Sequence, residues 1–204
     1  MLARCMPILF GEIGCAPNGV ARWIAVLGAQ GKRRQIMDYK IVELPAFRFA
    51  GVKARVPLQF EGENNAITEL AQSITKGQRA EMHRLVKKAP NPVPHEMLNV
   101  SWDSDTNFQR EEGFLTHMIS VATTAPQEEV AENLLTLEVA SGTWAAFPND
   151  GLFPQVMQQT TANIYAEWLG SVPYELDGFR MFSFSKIRED GSAYSEIWVP
   201  VRRE

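Results

Sequence analysis

The sequence predicts an α+β fold of two strand, helix, strand, strand units, with antiparallel sheets, helices on one side and a ligand groove between the halves. Three observations predict it. Runs rich in β-branched and aromatic residues recur at 39–56, in "EMLNVSW", "GFLTHMISVAT" and "LLTLEVASGTWAAF", and again in "GFRMFSFSKI" and "AYSEIWVPV". Each series holds helical stretches with apolar residues at 3,4 spacing, and the order of elements repeats over units of roughly 85 and 70 residues. One such unit is too small to bury much apolar surface alone, so the two are expected to join about a pseudo-twofold axis.

In the first unit, Pro45 interrupts "YKIVELPAFRFAGVKARV" and predicts a bent or bulged strand. In "GENNAITELAQSITK", Asn64 or Asn65 can cap a helix carrying Ile67, Leu70, Ala71 and Ile74 on one face. Gly77 is expected to end that helix, "RAEMHRLVKKA" adds a shorter one, and "PNPVP" turns the chain. "DSDTNFQREE" is the loop joining the next two strands. In the second unit "PNDG" is read as a turn, and Val156, Thr160, Ile164 and Trp168 stripe a helix stopped by Gly170. "REDGS" joins the last two strands as a hairpin.

Charge divides the chain at residue 36. Residues 1–36 carry five basic side chains (Arg4, Arg22, Lys32, Arg33, Arg34) against Glu12, a net of +4. They read as a basic extension or linker remnant, and 37–204 as the folded domain. That remainder has 15 basic and 23 acidic residues, a net of -8, which argues against nucleic-acid binding by this chain alone. Its sign suits a cationic small molecule or a basic protein partner. No run of about 18 uncharged apolar residues suggests a membrane span, and Pro7 and Glu12 interrupt any signal-peptide core. Cys5 and Cys15 form neither a disulfide framework nor a zinc pattern, and the protein is read as cytoplasmic. His83, His95 and His117 lack metal-ligand spacing, no nucleotide-binding or hydrolase motif occurs, and no cofactor, metal or catalytic residue is assigned.

Several stretches together resemble the GyrI-like small-molecule-binding domains, which follow helix-turn-helix regions in bacterial AraC-type and MerR-type regulators and also stand alone. They are "MDYKIVELPAFRFAGV", "LEVASGTWAAF", "IYAEWLGSVPYELDGF" and "SEIWVPV", in the family's order and spacing. The resemblance spans about 37–204. It implies binding of amphipathic, often cationic, compounds in a central groove, multidrug binding included, with a buried Glu on the last strand among aromatics. Glu196 and Trp198 fall on those positions. Many relatives carry a second acid on the preceding strand, whereas "FRMFSF" here has none, which removes strong dication selectivity from the expectation.

Strand alternation puts Tyr194, Glu196 and Trp198 on one face of the last strand, and Ser195, Ile197, Val199 and Val201 on the other. The aliphatic face suits packing against helices, so Glu196 falls in the groove. A partly buried carboxylate between aromatics attracts a cation more strongly than a solvated one does. The alternative is a Glu paired with Lys or Arg across a solvated sheet. Trp144, Trp102, Phe147 and Phe153 complete the expected ligand set, the phenylalanines flanking the "PNDG" turn at the groove mouth.

The expected function is a stand-alone effector-binding or sequestering protein, or the sensor part of a transcription regulator. Two alternatives stand beside it. One is a hydrolase of strained electrophiles on the same scaffold, with Glu196 as general base, although the sequence supplies no separate nucleophile or oxyanion element. The other is a partner-binding protein of the gyrase-inhibitor kind.

Overall fold

A computed structural model describes residues 37–59, 62–105, 112–178 and 180–203. The basic segment 1–36 lies outside the described residues, as does part of the loop between 103 and 113. In chain order the strands are β1 (Lys40–Leu44), β2 (Phe47–Pro57), β3 (Leu98–Trp102), β4 (Phe114–Thr123), β5 (Leu135–Val139), β6 (Gly142–Leu152), β7 (Tyr174–Leu176), β8 (Arg180–Ile187) and β9 (Ser192–Arg203). The α-helices are α1 (Asn65–Ser73), α2 (Lys76–Leu85) and α3 (Gln155–Asn163), the last continuing as a π-helical turn over Ile164–Trp168.

The strands form one antiparallel sheet in the order β1, β6, β9, β8, β3, β4, β2, β5, with β7 added to the end of β9. The α+β class, antiparallel pairing and helices on one side agree with the sequence reading. β3 pairs with β8 from Asn99↔Ser183 to Trp102↔Arg180, and that seam joins the two halves. The bend at Pro45 does more than kink a strand. It sends β1 to β6 in the second half, through Leu44↔Gly142, while β2 stays in the first. The second half reciprocates, because β5 pairs with β2 through Val139↔Phe47.

Local chemistry explains the helix limits. The Asn64 side chain accepts the Ala66 N–H at 3.1 Å and starts α1. Thr75 and Gln78 form a reciprocal capping box that starts α2. The break therefore falls at Ile74 and Thr75, and Gly77 sits in the first turn of α2 instead of ending α1. "PNDG" is likewise not a turn, because Pro148 to Gly151 lie within β6 and pair with β9. β1 stops opposite Ala146, which leaves the far part of β6 as an edge strand, where Pro and Gly are tolerated. Gly51 marks the tightest strand contact, since a Cβ there would run into the Ile119 carbonyl and Ser120 of β4.

Register sorts the side chains. Ile119 pairs with Asn99, Asn99 with Ser183, and Ser183 with Ile197, so these share a face. On that face Leu70, Met82 and Leu85 of the first-half helices bury Ala50, Ile119 and Val121. Ile164 and Trp168 bury Ala145, Phe147, Ile197 and Val199. On the opposite face Met118, Val100, Phe182 and Trp198 align across the sheet. Aromatic rings from both halves interlock there around Phe182, which meets Phe49 at 5.4 Å, Trp144 at 5.1 Å and Trp198 at 5.3 Å. The middle of the face that the sequence reading leaves as a groove is thus filled by the protein's own aromatics.

Phe182→Ala is expected to cost about 3–5 kcal/mol, the usual loss for a buried Phe, read as a lower urea midpoint. Phe114→Ala, at a side chain 50% exposed, is expected to cost under about 1 kcal/mol. Equal losses would contradict the central place given to Phe182.

Candidate functional site

β9 presents Tyr194, Glu196 and Trp198 at successive positions on the aromatic face, as alternation predicts. Glu196 stands between Pro148 of β6 and Phe184 of β8. It is half-buried, and both its oxygens accept from the flanking residues of its own strand. The Tyr194 hydroxyl donates to Oε1 at 2.6 Å and the Trp198 indole N–H donates to Oε2 at 3.0 Å. Both donors are uncharged. No ion pair reaches Glu196 among the described residues. Nearby cations are engaged elsewhere, Lys186 with Glu96 at 2.7 Å and Arg188 with Asp150 at 2.6 Å. The alternative of a Glu neutralised by Lys or Arg across the sheet is not what the geometry shows.

The hydrogen bond to Glu196 also acts on Tyr194. Together with burial and the charges of Glu196 and Asp150, it pushes the phenol up to about 12, because ionisation would break that bond and set two anions side by side. Trp198 is fixed from two directions, since its N–H is held by Glu196 and its ring stacks on Phe182 with an interplanar angle of 14°.

The other sequence-predicted positions divide. Trp144 lies on the same face and packs against Phe182, but is 3% exposed. Trp102 lies there too, across the seam on β3, half-buried, with the Lys53 ammonium 5.9 Å from its ring centroid. Phe147 points to the opposite face, fully buried against Trp168 at 4.8 Å with rings near perpendicular. It has the wrong strand parity, since Ala146 and Pro148 face Trp198 and Glu196 across the ladder. Phe153 lies beyond β6 and lines a cavity on the helix side. The sequence puts both at the groove mouth beside a "PNDG" turn, and with those four residues inside β6 neither lies there.

Sequence reasoning passed over Phe182, Phe184 and Pro148 as neighbours of this site. The alternation of "FRMFSF" puts Phe182 and Phe184 on one face, opposite Trp198 and Glu196. His117 is buried on the other face between Asn99 and Ser101, and burial lowers its pKa to about 4.

Removing the carboxylate charge should release the phenol. Glu196→Gln is expected to shift the Tyr194 titration from about 12 toward its ordinary value of about 10, followed by ultraviolet absorbance against the parent. Because the folded-state pKa lies above the unfolded one, Tyr194 contributes stability fully below pH ~10 and loses it as pH rises toward 12. The stability difference between parent and variant should narrow across that window. An unchanged tyrosine titration would contradict the bond.

Comparison with solved structures places the fold. The structure of SAV2435 bound to tetraphenylphosphonium is 18% identical, covering 81% of this chain and 94% of that one, with a TM-score of 0.57. The EcmrR C-terminal domain is 14% identical, covering 83% and 99%, with a TM-score of 0.53. A putative bacterial transcription regulation protein from Staphylococcus aureus MU50 is 17% identical, covering 81% and 99%, with a TM-score of 0.51. At these identities the likenesses show a shared fold. No curated protein matches the chain in sequence. Among the described residues no helix is long and apolar enough to cross a membrane. The family model of the GyrI-like small molecule binding domain matches residues 37–202, and the chain belongs to that family.

Proposed function

We propose that the domain binds amphipathic, cationic or aromatic small molecules at the aromatic face around Glu196. In this reading it acts in the bacterial cytoplasm, as a stand-alone effector-binding or sequestering protein or as the sensor part of a transcription regulator. In the same reading residues 37–204 are the effector domain and 1–36 a basic extension or linker remnant. The observation that carries the proposal is the half-buried Glu196 carboxylate, held in place by two neutral donors with no cation against it among the described residues.

Such a carboxylate is oriented without being neutralised. Its attraction for a cation is stronger than that of a solvated carboxylate, since the effective dielectric falls with burial. Tyr194 adds a half-buried ring beside it, and the buried rings of Phe184 and Trp198 would add theirs once the packed aromatics part, which suits a cation dressed in aryl groups. Trp144 and Trp102 lie on the same face and would extend the apolar wall once the packed rings part. Two comparisons support the reading: SAV2435 is described with tetraphenylphosphonium bound, and EcmrR carries this fold as its C-terminal domain.

Titration with tetraphenylphosphonium is expected to quench tryptophan fluorescence saturably. Glu196→Gln keeps the shape and removes the charge, so it should weaken binding about tenfold or more, the value of one desolvated charge pair. Equal affinity of parent and Glu196→Gln would overturn the role of the carboxylate.

A further inference from the structure

The helix-bearing face has a gap above the seam. α1 and α2 pack on β2 and β4, and α3 on β6 and β9, which leaves β3 and β8 between the two helix layers. Side chains directed to this face along the middle of the sheet are mostly polar, Asn99 and Ser101 on β3 and Ser183 and Ser185 on β8, with Met181 opposite Ser101 packed toward the second-half helix cluster. At one end of the seam a cavity of about 440 Å³ opens. Ser101, His117 and Leu115 line it from the central strands, Val56 and Ile67 from the first half, and Phe153 from the second. The Gln158 amide donates to the Gly62 carbonyl at 3.0 Å and ties the two halves together at this cavity.

The chemistry of the lining is specific. The Asn99 amide oxygen lies 3.2 Å from His117 Nε2, so that nitrogen carries the proton and donates. His117 Nδ1 then accepts from the Ser101 hydroxyl at 3.1 Å. With its proton committed to His117, the Ser101 oxygen offers lone pairs, an acceptor for a ligand hydroxyl or N–H. No Lys or Arg lines the cavity among the described residues, and its one carboxylate is Glu63. An anion would find no counter-charge there, and burying it unpaired is costly. The volume falls in the range usual for small-molecule sites.

We propose that this cavity is a second binding site, on the opposite face of the sheet from Glu196, for an uncharged aromatic molecule of one or two rings bearing a hydroxyl or N–H donor. It stands independently of the cation reading, because the two sites share no side chain.

The test is two-dimensional amide NMR on the full chain, with 2-naphthol as probe and 2-naphthoate as its anionic counterpart. Saturable shifts at Leu115, His117 and Phe153 with 2-naphthol are expected, retained in Glu196→Gln and at least about tenfold weaker with 2-naphthoate. Ser101→Ala removes the acceptor without adding bulk and should weaken 2-naphthol by about fivefold. The proposal is overturned if those residues do not shift saturably, if Glu196→Gln abolishes the shifts, if 2-naphthoate binds equally well, or if Ser101→Ala leaves 2-naphthol affinity unchanged.

Discussion

The antiparallel pairing of β3 with β8 is the constraint on which the rest depends. Each half alone is a small sheet with helical cover on one face, and its other apolar face would meet water. The seam turns two such faces into one. It sets Val100 opposite Phe182 and thereby brings Phe49 of the first half onto the ring against which Trp144 and Trp198 of the second half already pack. The crossed arms reinforce it, because β1 and β5 each leave their own half to pair with the other. Without the seam Phe49 has no Phe182 to pack on, and the second-half rings Trp144, Phe182 and Trp198 lose their first-half wall.

The same pairing shows how a duplicated frame carries a carboxylate at only one of two equivalent positions. Leu44↔Gly142 and Val139↔Phe47 relate the halves, equating Phe49 with Trp144. Their partners on β4 and β9 are Ala122 and Pro200, so Met118 of the first half corresponds to Glu196 of the second. Met118 is buried in the apolar cluster at 1% exposure. The corresponding position on β9 holds a carboxylate whose neighbours satisfy it from the same strand. At this pair of positions the pseudo-symmetry of the frame does not extend to the side chain.

Much of this was legible in the chain, for identifiable reasons. Alternation on β9 separates Tyr194, Glu196 and Trp198 from Ile197 and Val199 whatever the strand pairs with, and Asn64 caps α1 through a contact two residues away. Features set by distant partners were not legible. β6 runs through "PNDG" because β9 is long enough to hold it, and nothing in the local composition reveals that partner. Phe147 followed the misread turn, although strand parity alone places it beneath Trp168. The filling of the aromatic face depends on rings from strands far apart in sequence, brought together by the β6, β9, β8 order and, for Phe49, by the seam. Ser101 on β3 and His117 on β4 read from sequence as ordinary strand alternation, and line a cavity only because distant segments of both halves close around them.

The central claim is that Glu196 is a counter-charge held ready by Tyr194 and Trp198. A crystal structure of the chain with tetraphenylphosphonium tests it most directly. The account requires the phosphonium to rest beside the Glu196 carboxylate on the aromatic face, with Tyr194 and Trp198 against its aryl rings. A phosphonium seated on the helix side, or on the aromatic face away from Glu196, would contradict it.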